Sequence, residues 1–232
     1  MDTSVYQTFA QDVLHVSFNN HELLVTAFTH RSYLNEHKKT VSAHNERLEF
    51  LGDAVLELVV TEYLYSTYDE PEGVLTNWRS SLVRTESIGA AAAKFGFEPL
   101  LRLSRGEKRG TDRARAQILA NSFEAVVGAL YLDQGYDVTK TFITESIIST
   151  FEEILKTGSW MDAKSHLQEL AQSQDSATPV YRVLSEEGPD HDKVFTVGVY
   201  VNDTLRGQGD GPSKQAGQQK AAEAALVSYQ SK

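Results

Sequence analysis

The sequence predicts a multidomain α and α+β chain: an all-helical domain over residues 1–156, a linker at 157–161, and an α-β-β-β-α domain over 162–232. Three observations carry this expectation. Across residues 5–156 apolar positions recur at spacings of three and four, β-branched alternation is scarce, and Gly or Pro falls mainly between segments. After Thr157-Gly158-Ser159 the period shortens to two, in Val180-Tyr181-Arg182-Val183-Leu184-Ser185 and again in Val194–Val201. The chain also has 232 residues with 41% hydrophobic and 23% charged content, enough to bury a core and close to the globular average.

Taken in order, helices are expected at roughly 4–14, 20–30, 43–66, 74–94, 114–133 and 137–155 from that three-and-four spacing. The C-terminal domain opens with a short helix, Ala163 to Gln172. Strands follow at 180–185 and 194–201, with a third around Thr204 to Gly209, and an alanine-rich helix from Ser213 to Ser228 closes the chain.

Composition removes several classes of chemistry. With no cysteine there is no disulfide, thiol nucleophile or thiolate metal site, so any metal is expected to be bound by oxygen. No apolar run reaches the ~18 residues of a membrane span, and the opening MDTSVYQTFAQDV lacks the basic flank and apolar stretch of a signal peptide. A cytoplasmic, membrane-free chain is expected. The net charge is −10, with −7 before the linker and −3 after it, so neither part is basic. Between Arg102 and Arg115, however, six cations meet only Glu107 and Asp112, a local +4 that reads either as a solvated loop or as a contact for anions.

The stretch HNERLEFLGDAVLELVV, residues 44–60, is the most informative. At about 100° per residue, Glu46, Glu49, Asp53 and Glu57 fall within an arc of roughly 80° on a helix whose other positions are apolar. Phe50, Leu51, Val55, Leu56, Leu58, Val59 and Val60 are expected to be buried on most sides, so the acid stripe is not an ordinary solvent face. Like charges at i and i+4 destabilise a helix unless a cation compensates. A second apolar helix, Gln117 to Leu132, presents Asn121 and Glu124 at i, i+3. Two such helices crossing would form a cage of oxygen ligands suited to Mg²⁺ or Mn²⁺. His30, His37 and His44 are seven apart, which is no ligand spacing, and read as surface or hydrogen-bonding residues.

These segments carry a resemblance. HNERLEFLGDAVLELVV resembles the signature helix of the bacterial ribonuclease III family, and FTHRSYLNE, EGVLTNWRSSLV and ILANSFEAVVGALYLDQG match its other segments in order. The resemblance implies that Glu49, Asp53 and Glu124 are metal-binding carboxylates, with Asp53 and Glu124 catalytic, and that Glu46 is an acid near the cleavage site. Asn121 stands where the family commonly has aspartate. The implied activity is hydrolysis of double-stranded RNA by a homodimeric endonuclease in RNA processing, such as ribosomal RNA precursor maturation. It leaves 5′-phosphate and 3′-hydroxyl ends and uses Mg²⁺, with Mn²⁺ as a substitute. Phe50 is implied at the dimer interface. Divalent metal suits the chemistry because water must be activated while charge on the phosphate oxygens is neutralised.

The C-terminal segment resembles a double-stranded RNA-binding domain, with GPDHDKVF and GDGPSKQAGQQKAAEAAL in the expected places. Ser165, Gln168 and Glu169 share a polar helix face, His191 lies in a strand-joining loop, and Ser213 and Lys214 open the last helix, where amides and a cation suit a phosphate. Lys220 retains a charge further along, while Gln215 replaces the second basic residue usual after Lys214. Such domains read A-form shape through 2′-hydroxyls and phosphates. Asn121 keeps open a non-cleaving double-stranded RNA-binding protein. A helical metal-dependent nucleotide pyrophosphohydrolase would leave the C-terminal domain without a purpose.

Overall fold

The computed structural model describes residues 3–157, 160, 162–189 and 193–230, so His191 and linker residues 158, 159 and 161 lie outside the described residues. The chain divides into two compact units, Met1–Ile154 and Leu155–Lys232.

The first unit contains α1 (Ser4–Asp12), α2 (His21–Ala27), α3 (Arg31–Glu36), α4 (Glu46–Thr67), α5 (Glu72–Val83), α6 (Thr85–Lys94), α7 (Asp112–Gln134) and α8 (Tyr136–Ser146), with α9 (Phe151–Thr157) at the boundary. Helix α7 is the axis of this unit. It is buried at nearly every position from Ile118 to Leu130, and α2, α4, α6 and α8 pack on it. Around Phe123, the rings of Phe97 and Phe142 stack at 5.8 and 5.3 Å, and Phe28 and Phe9 continue the cluster edge to face. At its far end the Asp133 carboxylate accepts the N–H groups of Asn19 and Asn20, both at 2.8 Å, which ties the entry to α2.

One expected helix is shortened and two are divided. The helix expected at 20–30 ends at Ala27, because the chain is pulled into a bridge with Arg102: the Arg102 N–H donates to Phe28 and the His30 N–H donates to Arg102. A separate helix, α3, then starts with His30 as its cap, its Nδ1 accepting the Ser32 N–H. The expected 74–94 breaks at Arg84, where ψ is 151°, and the Ser87 hydroxyl satisfies the carbonyl of Ser81 that the break leaves open. The expected 137–155 becomes α8, one 3₁₀ turn over Ile148–Thr150, and α9.

The burial expected around α4 holds for Val55, Leu56, Val59 and Val60 but not for Phe50 and Leu58, which are 81% and 57% exposed. Helix α4 gives its inner faces to α5, α7 and α8. Phe50, Ala54, Leu58 and Tyr65 fall within an ~80° stripe that no element of this unit covers.

The second unit contains α10 (Ala163–Asp175), the antiparallel sheet β1 (Val180–Glu187), β2 (Val194–Val201) and β3 (Thr204–Gly211), and α11 (Lys214–Gln230). Asp162 caps α10 by accepting the Ser165 N–H. The β2–β3 connection is Asn202-Asp203, both left-handed (φ 50° and 58°), as a two-residue hairpin turn of this twist requires. In β2 the period-two pattern buries Val197, Val199 and Val201, and the last two meet Leu167, Ala171, Ala221, Ala222 and Ala225 of the helices in one core. The outer strands run two residues further than the alternation indicated, because their pairing with β2 continues to Glu187 and Gly211.

Candidate active site

The site is built by the crossing of α4 on α7. A Cβ placed on Gly52 would lie 1.7 Å from the carbonyl oxygen of Glu124, and one on Gly128 would lie 2.2 Å from that of Leu48. The two backbones are therefore in direct contact at this point, and only glycine permits it. The consequence is chemical. Acids flanking the glycines, Glu49 and Asp53 on α4 and Glu124 on α7, are brought into electrostatic contact.

Burial, then the charges of Asp53 and Glu49, push the Glu124 carboxyl up to about 8. Burial followed by the charges of Glu46 and Asp53 raises that of Glu49. Both directions say that negative charge is in excess here. Oxygen donors without a balancing cation are the donor chemistry of a hard divalent ion, so the residues fit such an ion. No three His, Asp or Glu side chains among the described residues converge on a single point. The acid stripe is more open than its apolar surroundings suggested: Glu46, Asp53 and Glu57 are exposed, and Glu49 is half-buried.

Asn121 is half-buried one turn before Glu124, and its Oδ1 accepts a 2.7 Å hydrogen bond from Gln117 Nε2. The i, i+4 spacing is the signal by which sequence reasoning could have found Gln117. Glu46 faces Arg31 at 3.5 Å and His44 Nδ1 at 3.8 Å. Arg31 carries no such signal, since it reaches Glu46 only because α3 folds back toward α4. Of the basic segment, Arg102 lies 4.5 Å over the Tyr33 ring and Arg115 pairs with Glu98 at 3.0 Å, while Arg105, Lys108, Arg109 and Arg113 are exposed.

In the second unit Ser165, Gln168 and Glu169 are exposed on one face of α10, where Gln172 and Ser173, the next residues at the same spacing, extend a groove of about 550 Å³. Ser213 Oγ accepts the Ala216 N–H and so starts α11. Lys214 is exposed, 3.2 Å from Glu186. Lys220 is not on the same face as Lys214, since six residues place it about 120° around the helix. The residue one turn beyond Lys214 is Gln218, which is bonded to Lys164 at 2.9 Å.

A helical unit with oxygen donors at a helix crossing, followed by an α-β-β-β-α unit with a polar helix face, defines a nucleic-acid-processing protein. Residues 20–151 match the family described as Ribonuclease-III-like, and residues 163–228 match the double-stranded RNA binding motif. The chain is 46% identical to Ribonuclease 3 of Lactococcus lactis subsp. cremoris over 90% of both chains, and 44% identical to Ribonuclease 3 of Enterococcus faecalis over 92% of this chain and 93% of that one. The nuclease domain of ribonuclease III from Campylobacter jejuni, described with a region involved in dimer formation, superposes with a TM-score of 0.53 at 34% identity, covering 60% of this chain and 96% of that one. The chain belongs to the ribonuclease III family.

Proposed function

We propose that the first unit hydrolyses phosphodiester bonds of double-stranded RNA at the α4–α7 crossing and that the second unit grips the duplex. The observation that carries this is the glycine-to-backbone contact of Gly52 and Gly128, which brings the charges of Asp53 and Glu49 to bear on Glu124, whose carboxyl burial and those charges push up to about 8. Glu49, Asp53, Asn121 and Glu124 would hold a divalent cation. Mg²⁺ is the ion this all-oxygen set suits, and Mn²⁺ substitutes for it. When bound, the ion lends positive charge to the scissile phosphate and acidifies the attacking water. Asp53 and Glu124, in their ionised forms, would orient the attacking water and take up its proton as its oxygen bonds to phosphorus and the P–O3′ bond breaks, the released 3′ oxygen being protonated from solvent, and Glu46, steered by Arg31, would stand beside the cleaved strand. The products carry 5′-phosphate and 3′-hydroxyl ends.

A stretch of net charge −7 over residues 1–156 repels a polyanion, so Arg105, Lys108, Arg109 and Arg113 supply the local attraction. Arg113, in the first turn of α7, is eight residues from Asn121, about 12 Å along one rigid helix. Duplex contacts in the second unit come from Ser165, Gln168 and Glu169, and from Ser213, Lys214 and Lys220. The exposed stripe of Phe50, Leu58 and Tyr65 is apolar enough to mark a protein partner, and a second copy of the chain meets it. Cytoplasmic RNA precursors, ribosomal among them, are the proposed substrates. No helix of the described residues is long and apolar enough to cross a membrane. The non-cleaving alternative is not favoured: relatives matched over nine-tenths of both chains are named ribonucleases.

The test is cleavage of a long RNA duplex with added Mg²⁺ or with chelator, beside a single strand of the same sequence. Cutting only of the duplex and only with metal is expected; equal cutting in chelator would refute the proposal. Within the site, Asn121→Asp restores a negative charge and should lower the Mg²⁺ needed for half-maximal cleavage about tenfold, with a similar plateau.

A further inference from the structure

We infer that Ser32 is a positioning residue: its hydroxyl locks the root of the basic segment to the turn between α2 and α3, which also bonds to the start of the acid helix, and thereby sets where Arg105, Lys108 and Arg109 stand relative to Glu49, Asp53 and Glu124. The inference rests on the reading of the basic segment as a contact for RNA phosphates.

Residues 28–32 are a hub with two arms. On one arm the buried Thr29 accepts the Asn45 N–H at 2.9 Å, and Asn45 in turn accepts the Glu49 N–H at 2.9 Å, the first turn of α4. On the other arm the Arg102 N–H donates to Phe28 at 2.9 Å, the His30 N–H donates to Arg102 at 3.1 Å, and the Arg102 guanidinium reaches Thr29 Oγ1 at 3.1 Å. Both backbone bonds stop at Arg102. Beyond it the hub's hold passes to Ser32, whose Oγ accepts the Ser104 N–H at 3.1 Å.

Ser32 Oγ is itself held 2.8 Å from His30 Nδ1. The hydroxyl donates to the ring nitrogen and accepts from the backbone at once, which alanine cannot do and threonine can. From Ser104 the orientation passes directly into the cationic turn. Ser104 Oγ accepts the Glu107 N–H at 3.2 Å, its carbonyl accepts the Lys108 N–H at 3.2 Å, and the 3₁₀ turn Glu107–Arg109 follows. Deleting one hydroxyl therefore frees the cations while leaving the acids and their crossing intact.

Steady-state cleavage of a duplex by the full chain at low and moderate salt tests this. Ser32→Ala should raise KM about fivefold at moderate salt, flatten its salt dependence and leave kcat within about twofold. Ser32→Thr should restore the parent KM. Hydrogen exchange should quicken at residues 104–110 in Ser32→Ala and stay unchanged in α4; if that variant fails to fold, Ser32→Cys, which keeps the size and weakens both bonds, is read in the same way. An unchanged KM, a kcat that falls as far as KM rises, or a threonine that does not restore KM would each overturn the inference. Arg105→Gln, Lys108→Gln and Arg109→Gln combined separate the two levels. If they leave KM unchanged, the reading of the basic segment fails; if they raise it while Ser32→Ala does not, only the role of Ser32 fails.

Discussion

Helices α7 and α11 both pack through small residues, yet each puts the resulting close contact to a different use. On α7, Gly128 admits the backbone of α4, and the closeness of two acid-bearing helices perturbs the carboxylates beside them. On α11, Ala221 and Ala225 admit the sheet: a Cβ on Gly207 would sit 2.4 Å from the Ala221 carbonyl oxygen. Among the described residues that core holds no carboxylate or cation; burial pushes the hydroxyls of Tyr229 and of Tyr181 beside it up to about 12, and the polar residues proposed to meet RNA stand outside it, on α10 and at the start of α11. Chemistry at a phosphate needs charge held under strain by burial, whereas gripping a polyanion needs exposed donors.

The largest effect that would break this contrast is in Glu124→Gln. Cleavage should fall on the order of a thousandfold, while duplex affinity, read by gel shift, stays within about twofold. Equal loss of both with the fold intact would make Glu124 a structural residue.

Next comes the crossing itself. Gly128→Ala should cost about 3 kcal/mol in urea unfolding, because the added methyl has only backbone to displace. Gly73→Ala, with nothing within 4 Å of its Cβ, is the matched control and should be near neutral or slightly stabilising. A Gly128→Ala protein as stable as the parent would mean that the helices do not meet so closely.

In the second unit the expected effects are smaller and depend on salt. Lys214→Ala should weaken duplex binding several-fold at moderate ionic strength and reduce the salt slope by about one, leaving kcat at saturating duplex unchanged. The Glu186 carboxylate beside it moderates the loss, since it already occupies part of the lysine's charge.

The smallest effect is on thermal stability. Glu124 is ordinarily half-protonated at 4.5 and in the fold at about 8. Below 4.5 both folded and unfolded chains hold the proton. Between 4.5 and 8 the unfolded chain releases it first, so the stability it contributes is lost as pH rises through that window. The metal-free protein should therefore melt a few degrees lower at pH 8 than at pH 5, and Glu124→Gln should flatten that slope. Added Mg²⁺ should offset the loss at pH 8 in the parent and not in the variant.

By itself the sequence determined the element types, the change from helical to strand periodicity after residue 157, and which polar residues share a face: the acids along α4, and Asn121 with Glu124 along α7. Each is a local matter: a 3.6- or 2-residue period decides which side chains share a face, whatever the element packs against. Tertiary structure alone decided the rest. Nothing local says that the expected 20–30 helix stops at Ala27, because the cause is Arg102, more than seventy residues away. Nor could periodicity show that Phe50 and Leu58 are exposed, since an apolar residue reads the same whether it faces its own core or a partner. The perturbation of Glu124 has the same origin. Its spacing was legible in the sequence, but its environment is made by Gly52 on another helix, where two backbones touch and the charges of Asp53 and Glu49 act on the buried Glu124.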